Sequence, residues 1–330
     1  MEKNVRSFVI NIVLTINIGI AFFFIGTLIS FAIVYLLPGD PVIAYLASIG
    51  IYSPTPAQIQ QFRHLLGFDL PIFVRYLRYL LDLITGNWGT SVSIAPGTPV
   101  IELLHRLPRT IGLMTMSIMI ALPLGFLLGR LLAKKRGFWY DRLIQLGSII
   151  GLSIPVFFLG MSFQFTLGFV NPIFPTSYYK TPSYTDPPYL TGFYIFDALF
   201  TGQFPKIIDY LYHMFLPVTC LAIVSFSLIT LKTRTYLPHK SREKTIFSNM
   251  LLTLIIFSFV FMSAILVESN FGLNGFAQLI VEAINLIDYW VISAILITTI
   301  IMIVVLIVIS NFAFSLYKFL KDREMWEEDI

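Results

Sequence analysis

The chain has 330 residues, of which 57% are hydrophobic and 12% are charged, with a formal net charge of +4. Globular domains average about 45–50% apolar and about 25% charged residues, so this composition excludes an ordinary soluble protein. The single cysteine, Cys220, excludes an intramolecular disulfide and gives no sign of a metal cluster.

Six stretches of the chain contain no Asp, Glu, Lys or Arg, and each is at least 20 residues long. A helix needs about 20 apolar residues to cross a hydrocarbon core of about 30 Å, and the core forces each backbone amide to find a partner within its own segment. The sequence therefore predicts an all-α integral membrane protein with six transmembrane helices. The predicted spans are residues 8–37, 110–129, 143–171, 211–231, 247–267 and 289–317.

The segment between the first two predicted spans carries helix signals of its own. Thr55 and Pro56 predict the start of a short helix, and Gly67 predicts its end. A second helix is predicted from Pro71 to about Ile84, with charged residues on one side and apolar residues on the other. Such helices lie either along the membrane–water interface or in a small packed cap over the spans.

Two further segments lie outside the predicted spans. A third short helix is predicted from Thr98 and Pro99 to Leu107, directly before the second span. The stretch 171–210 is rich in Pro and Tyr and is predicted to be a long loop. Its tyrosines either anchor the chain at the membrane interface or contact a partner or substrate.

The distribution of Lys and Arg predicts the orientation. With the N-terminus in the cytoplasm, the four inner segments hold 15 of the 22 Lys and Arg residues, as expected for cytoplasmic loops. Both termini are then cytoplasmic. The positive net charge is interpreted as a consequence of this topology and not as a sign of nucleic-acid binding. Three regions follow: residues 1–37 with the first span, an outer loop at 38–109, and a five-helix core at 110–330 with a short inner loop at 232–248.

Short motifs follow one another in a fixed order through the outer loop and the next two spans. They are Pro38-Gly39-Asp40-Pro41, Leu66-Gly67-Phe68-Asp69, Gly86-Asn87-Trp88-Gly89-Thr90-Ser91, Pro99-Val100-Ile101-Glu102-Leu103-Leu104, Arg106-Leu107-Pro108 and Ser153-Ile154-Pro155. Each motif alone is weak. The ordered set over residues 1–170 resembles the dipeptide/oligopeptide permease family, the membrane subunits of binding-protein-dependent ABC importers.

The resemblance implies a type I-like importer permease fold in a prokaryotic cell membrane. The implied function is half of a translocation pathway, working by alternating access, for peptides or related solutes such as oligosaccharides. The implied partners are a second permease in a heterodimer, two ATP-binding subunits and an extracytoplasmic substrate-binding protein. Because the chain lacks a G-x-x-x-x-G-K-[ST] phosphate loop, the partners would bind and hydrolyse ATP. The chain itself is expected to be no enzyme and to hold no cofactor.

The resemblance weakens in the inner loop at 232–248, where the family carries a coupling motif on two short helices that dock on the ATPase. Pro238 interrupts this loop, and its length leaves little room for two helices and a turn. Two explanations stay open: the second permease supplies most of the coupling, or the chain is a non-transporting structural or assembly subunit derived from such a permease. The coupling candidates within the loop are Arg234, Lys240, Arg242 and Glu243.

None of the predicted spans carries a charge near mid-membrane, where proton- and sodium-coupled carriers place ionisable groups. Energy is therefore expected from a separate ATPase. Among the uncharged polar residues, Gln164 and Ser263 are the candidates for facing the pathway. Glu268 and Asp288 bracket the segment between the last two spans, where they either line an outer gate, meet the binding protein or form a solvated cap.

One ionic cluster is predicted at the inner end of the third span. Asp141 and Arg142 lie close in sequence to Arg136 and are expected to form an ion-pair cluster. Exposed ion pairs contribute only about 0–1 kcal/mol, so the cluster is interpreted as structural.

Overall fold

The computed structural model of the chain describes residues 2–236 and 246–327. Throughout these ranges the regular structure is helical, and the β-type pairing is an isolated bridge between Thr90 and Pro99. The α-helices are α1 (Glu2–Leu36), α2 (Pro41–Ser48), α3 (Pro56–Leu65), α4 (Ile72–Thr85), α5 (Val100–Leu103), α6 (Leu107–Lys134), α7 (Trp139–Ser153), α8 (Val156–Phe163), α9 (Tyr194–Phe200), α10 (Phe204–Tyr236), α11 (Ile246–Phe271), α12 (Phe276–Asn285) and α13 (Tyr289–Glu327). A 3₁₀ turn precedes α6, and a π-helical segment, Gln164–Val170, follows α8.

Five helices among the described residues are long and apolar enough to cross a membrane. Each covers all or most of one predicted charge-free stretch, and together they confirm an all-α membrane protein. They are Phe8–Leu36, Val100–Lys134, Phe204–Thr235, Thr253–Phe271 and Tyr289–Tyr317.

The remaining predicted span is bent. Trp139–Ser153 and Val156–Val170 pass the same test only as a pair, and they meet at 88°. Pro155 has no amide hydrogen with which to continue α7, and a residue before proline is driven towards extended backbone. Ile154 accordingly has φ −72° and ψ 120°. This segment is either a broken span or a re-entrant loop, so the described chain has five or six spans.

The predicted short helices of the first loop are present. α3 starts at Pro56, and Thr55 and Gln58 cap each other reciprocally in front of it. α4 occupies the second predicted segment. The third predicted helix is not separate, because α5 and the 3₁₀ turn lead directly into α6. Pro108 is tolerated there because the first turn of a helix does not use its amide hydrogens.

Three short helices were not expected from the sequence. α2 begins directly after Asp40, whose side chain accepts a hydrogen bond from the Val42 amide. α12 lies between the last two spans, and α9 lies within the stretch predicted to be a long loop. That loop is also shorter than predicted because α10 already starts at Phe204.

The described chain divides into two compact units. The first unit comprises Met1–Leu104, Glu243–Leu254 and Glu282–Ile330 as far as they are described. Within it α1 packs along α13, and α4 packs beside α1. The hydroxyl of Tyr289 donates a 2.6 Å hydrogen bond to the Pro38 carbonyl, and a Cβ on Gly39 would lie 2.6 Å from that hydroxyl oxygen. Gly39 also has φ +98°, so the Pro-Gly motif after α1 needs glycine for both reasons.

The second unit comprises His105–Arg242 and Ile255–Val281. Its centre is α10, which packs against α6, α7, α8 and α9. Leu216, Cys220 and Leu221 on α10 are completely or almost completely buried. Small residues let α6 approach α10 closely, since a Cβ on Gly129 would lie 2.6 Å from the Thr233 Cβ. Close approach through small residues is how membrane helices pack where lipid removes the hydrophobic driving force.

Candidate functional site

Gln164, predicted to face the pathway, opens the π-helical segment at the end of the bent pair. Its amide nitrogen donates to the carbonyl oxygens of Thr176 at 2.7 Å and Asn270 at 3.1 Å. One side chain thus joins α8, the following loop and the end of α11. π-Helical segments are rare and often mark functional positions in helices. Whether Gln164 faces the pathway stays a prediction.

Glu268 lies near the end of α11 and is fully buried. Its Oε2 accepts a 3.0 Å hydrogen bond from the Gln278 amide in the first turn of α12, while the Thr110 hydroxyl accepts one from the Ala277 amide at 3.1 Å. The residue before α12 is Gly275, which has no side chain with which to cap the helix. Glu268 and Thr110 therefore cap α12 from two other helices.

The capping geometry explains Gly275. A Cβ at this position would lie 2.4 Å from Oε2 of Glu268 and 2.6 Å from Oε1, so any larger residue would displace the carboxylate. The second carboxylate oxygen, Oε1, has no hydrogen-bond partner among the described residues. Of the three alternatives for Glu268, the solvated cap is wrong, because the side chain has no exposed surface. A role at an outer gate or against a binding protein stays a prediction.

A polar cluster that the sequence analysis missed surrounds Arg109 in the same unit. Arg109 donates to the Asn274 carbonyl at 2.9 Å, and its guanidinium lies 4.6 Å from the ring centre of Tyr179. Asp186 lies 3.6 Å from Arg109 and 3.3 Å from the Lys180 ammonium group. Arg109 thereby holds the tyrosine-rich loop and the turn before α12. The sequence feature that could have indicated this cluster is the presence of two oppositely charged residues, Lys180 and Asp186, within the Pro- and Tyr-rich loop.

Ionisation states in this loop are well defined. Burial raises the pKa of Tyr179 to about 12, so its hydroxyl stays protonated and donates to Asp186 at 3.0 Å near neutral pH. Burial alone would raise the pKa of Asp197, but hydrogen bonds from Thr191 and from the Gly192 amide lower it below the usual value. The loop is therefore fixed by partners within its own unit.

Asp288, the other predicted gate residue, lies in the first unit and is also fully buried. Its Oδ2 accepts hydrogen bonds from the Ser91 hydroxyl at 2.6 Å and from the backbone amides of residues 92–94 at 2.9–3.2 Å. Its Oδ1 lies 3.4 Å from the Val291 amide in the first turn of α13. Asp288 is thus a helix cap and an anchor for the Gly-Asn-Trp-Gly-Thr-Ser motif, and the solvated-cap reading is wrong here too.

The remaining predicted positions are placed as follows. Ser263 lies in α11 and is almost completely buried, and its pathway role stays a prediction. Arg234 forms a two-pronged ion pair with Asp141, with N–O distances of 2.7 and 2.8 Å. The expected partnership of Asp141 with Arg142 is therefore wrong, while Arg136 does join the cluster by donating to the Arg234 carbonyl. The other coupling candidates lie outside the described residues: Lys240, Arg242 and Glu243.

The membrane-crossing helices carry their charged side chains only near their ends in the part of the chain that the structure describes. Together with the bent span and the buried helix caps, this arrangement defines a polytopic membrane protein whose described spans carry no charge in their central parts. Membrane proteins built in this way form either passages or scaffolds. The family to which the chain belongs distinguishes these two classes.

The chain belongs to the family of binding-protein-dependent transport system inner membrane components. The model of that family matches residues 105–237, and the model of the N-terminal part of such membrane components matches residues 6–114. The chain is therefore a permease component of a transport system, and it is not itself an enzyme.

Relatives with curated names agree with this family. The probable D,D-dipeptide transport system permease protein DdpB of Escherichia coli (strain K12) is 34% identical over 208 residues, which is 62% of this chain and 59% of the relative. The dipeptide transport system permease protein DppB of Alkalihalophilus pseudofirmus is 28% identical over 90% of this chain and 93% of the relative. The oligopeptide transport system permease protein AppB of Bacillus subtilis (strain 168) is 32% identical over 63% of this chain and 58% of the relative.

Proposed function

We propose that this permease component is one half of the translocation pathway of an ATP-driven importer for peptides. The single observation that supports ATP, and not an ion gradient, as the energy source is the absence of charge from the middle of every described span. A carrier driven by an ion gradient needs a titratable or ion-binding group there, and such a group costs about 2.5–3.5 kcal/mol or more. The names of the relatives support peptides as the transported class.

The proposed partners follow from the same mechanism. A permease without a nucleotide site needs two ATP-binding subunits, and a binding-protein-dependent system needs an external substrate-binding protein. We place both termini in the cytoplasm of a prokaryotic cell, because 15 of the 22 Lys and Arg residues then lie in the inner segments. The segment 38–109 then lies outside the membrane barrier, between α1 and α6.

A heterodimer with a second permease is part of the proposal. The charge-free stretches on either side leave only the short inner loop at 232–248 between the fourth and fifth predicted spans. That length leaves little room for two docking helices and a turn. A partner permease with a full-length loop would supply most of the contact with the ATPase, and this chain would supply a smaller one through Arg234 and the loop.

One observation favours a second candidate, a structural or assembly subunit without transport. The match to the family model ends at residue 237, directly before the shortened loop. A chain that had lost contact with the ATPase would still keep its spans and its helix caps. The two candidates differ in whether this chain affects ATP hydrolysis.

The test is the ATPase rate of the complete reconstituted complex with its substrate-loaded binding protein. Replacement of Lys240, Arg242 and Glu243 together by Ala is expected to lower the stimulated rate several-fold. The matched control replaces three charged residues at the other inner turn, Lys134, Lys135 and Arg142, and is expected to leave stimulation near that of the wild type. An unchanged rate in the first variant would favour the structural candidate.

A further inference from the structure

A cavity with a volume of about 680 Å³ lies wholly within the first unit. Its walls come from the end of α1, the starts of α2 and α13, the end of α3, α4 and the loops on either side of α4. They combine aromatic rings with three arginines. The lining residues include Tyr35, Arg63, Arg75, Arg78, Asp82 and Trp290.

The contacts of α4 with α1 show which part of a spanning helix the cavity lies beside. α4 is tied to α1 by hydrogen bonds between the hydroxyl groups of Tyr76 and Thr27 at 2.9 Å and between those of Tyr79 and Ser30 at 3.1 Å. These two α1 residues lie nine and six positions before Leu36, or about 9–14 Å along the helix axis. α4 therefore lies beside the C-terminal part of a helix that is long and apolar enough to cross a membrane.

The outer face of α4 has the character of a surface that contacts lipid. Phe73, Leu77, Leu81 and Ile84 recur at helical spacing on one face, and between 49% and 79% of each is exposed. Across the helix from this apolar stripe, Arg75, Arg78 and Asp82 line the cavity. A helix with this division of faces lies in the plane of a membrane interface. An acyl chain can lie along the stripe while its headgroup reaches the cavity.

The arginines of the cavity differ in whether they have a protein partner. Arg63 forms an ion pair with Asp40. The guanidinium of Arg75 lies between two rings, 4.9 Å from the centre of Tyr35 and 4.8 Å from the centre of Phe68. Stacking covers the two faces of a guanidinium and leaves its N–H edge free to donate. Among the described residues, neither Arg75 nor Arg78 has an acidic partner.

We propose that this cavity binds the phosphate group of a membrane phospholipid, with the edges of Arg75 and Arg78 as its donors. The two arginines are three positions apart on one helix, which places them side by side. A phosphate oxygen accepts charge-assisted hydrogen bonds from such donors. The aromatic walls of the cavity accommodate the glycerol and the start of the acyl chains, which free phosphate lacks, and the chains then continue towards the apolar stripe on the outer face of α4.

The test is a titration of the purified full-length chain in detergent with phosphatidylglycerol, followed by native mass spectrometry. The wild type is expected to bind one lipid more tightly than the rest. The double variant Arg75→Gln/Arg78→Gln is expected to bind that lipid about tenfold more weakly or worse, because hydrogen bonds to charged groups are lost. The matched control, Arg130→Gln/Arg142→Gln, removes two exposed arginines of the other unit and is expected to leave the affinity unchanged.

Competing ligands distinguish the possible sources of the anion. Inorganic phosphate and diacylglycerol are each expected to fail to displace the bound lipid at equal concentration. Displacement by inorganic phosphate, or by a dipeptide, would overturn the lipid assignment. Equal lipid affinity in the two double variants would overturn it as well.

A second measurement does not depend on how well the arginine variants fold. Trp88 and Trp290 line the cavity, so a phosphatidylglycerol brominated near the start of its chains is expected to quench their fluorescence. The quenching should fall when both are replaced by Phe in an otherwise unchanged chain. Equal quenching with and without these two residues would contradict the proposal.

Discussion

Asp288 and Glu268 are both completely buried, yet the two carboxylates are satisfied very differently. Asp288 receives the Ser91 hydroxyl and three backbone amides on one oxygen and faces a helix amide with the other. Glu268 receives one amide within hydrogen-bond distance, and its Oε1 has no partner in the described part of the chain. The number of donors distinguishes a carboxylate that holds a loop in place from one whose surroundings can change.

The largest expected effect is at Asp288. Replacement by Ala leaves a hydroxyl and three amides without their acceptor, and each buried unsatisfied group costs about 1–3 kcal/mol. We expect the variant to lose at least about 3 kcal/mol of stability, measured by thermal unfolding of the purified chain in detergent. Asp288→Asn keeps one acceptor oxygen and should lose less. A loss below about 1 kcal/mol in the Ala variant would contradict the anchoring role.

Breaking the ion pair between Asp141 and Arg234 is expected to cause an intermediate loss of stability. Asp141 is 1% exposed, whereas the side chain of Arg234 keeps 18% of its surface. Breaking a buried pair costs about 3–5 kcal/mol, and the partial exposure of Arg234 lowers our expectation to about 2–4 kcal/mol for Arg234→Ala.

A double-mutant cycle isolates that pair. Asp141→Asn combined with Arg234→Ala is expected to cost clearly less than the sum of the two single variants, because either change alone already breaks the contact. Strict additivity of the unfolding free energies would show that the two side chains do not stabilise each other. Arg142→Ala is the matched control, with little effect expected.

Gly275 allows a more local test of the Glu268 site. Gly275→Ala puts a methyl group within 2.4 Å of the carboxylate position, and overpacking of this kind costs about 1–3 kcal/mol. The loss should shrink when Glu268→Ala is introduced as well, because the clash disappears with the carboxylate. Equal losses in both backgrounds would indicate that the glycine is needed for another reason.

The smallest expected effect is that of Glu268→Gln. The carbonyl oxygen of Gln can still accept from the Gln278 amide, and no second hydrogen bond of the carboxylate is lost. We expect a change in stability of about 1 kcal/mol or less, against a larger loss for Asp288→Asn. Similar losses in the two amide variants, measured under one detergent condition, would remove the distinction between the sites.

The sequence predicted the elements that depend on local composition. Charge-free runs predicted the membrane helices because lipid leaves few alternatives, although the third predicted span is bent by 88°. The start of α3 was predicted because Thr55 and Pro56 act within one turn. Such signals need no knowledge of the rest of the chain.

The sequence could not predict contacts between distant segments. Arg234 is 93 positions from Asp141, whereas Arg142 is its neighbour, and pattern alone favoured the neighbour. Thr110, which caps α12 beside Glu268, and Ser91, which donates to Asp288, are each more than 150 positions from the carboxylate concerned. α12 has no capping residue in front of it, so its start could not be read from local sequence.

ATP-driven peptide import through this chain can be measured as uptake of a labelled dipeptide into proteoliposomes that contain the chain and its partner subunits. We expect uptake that requires ATP and the binding protein, is lost when this chain is left out, and persists when ionophores collapse the proton and sodium gradients. Uptake that stops with the ionophores, or continues without this chain, would contradict it.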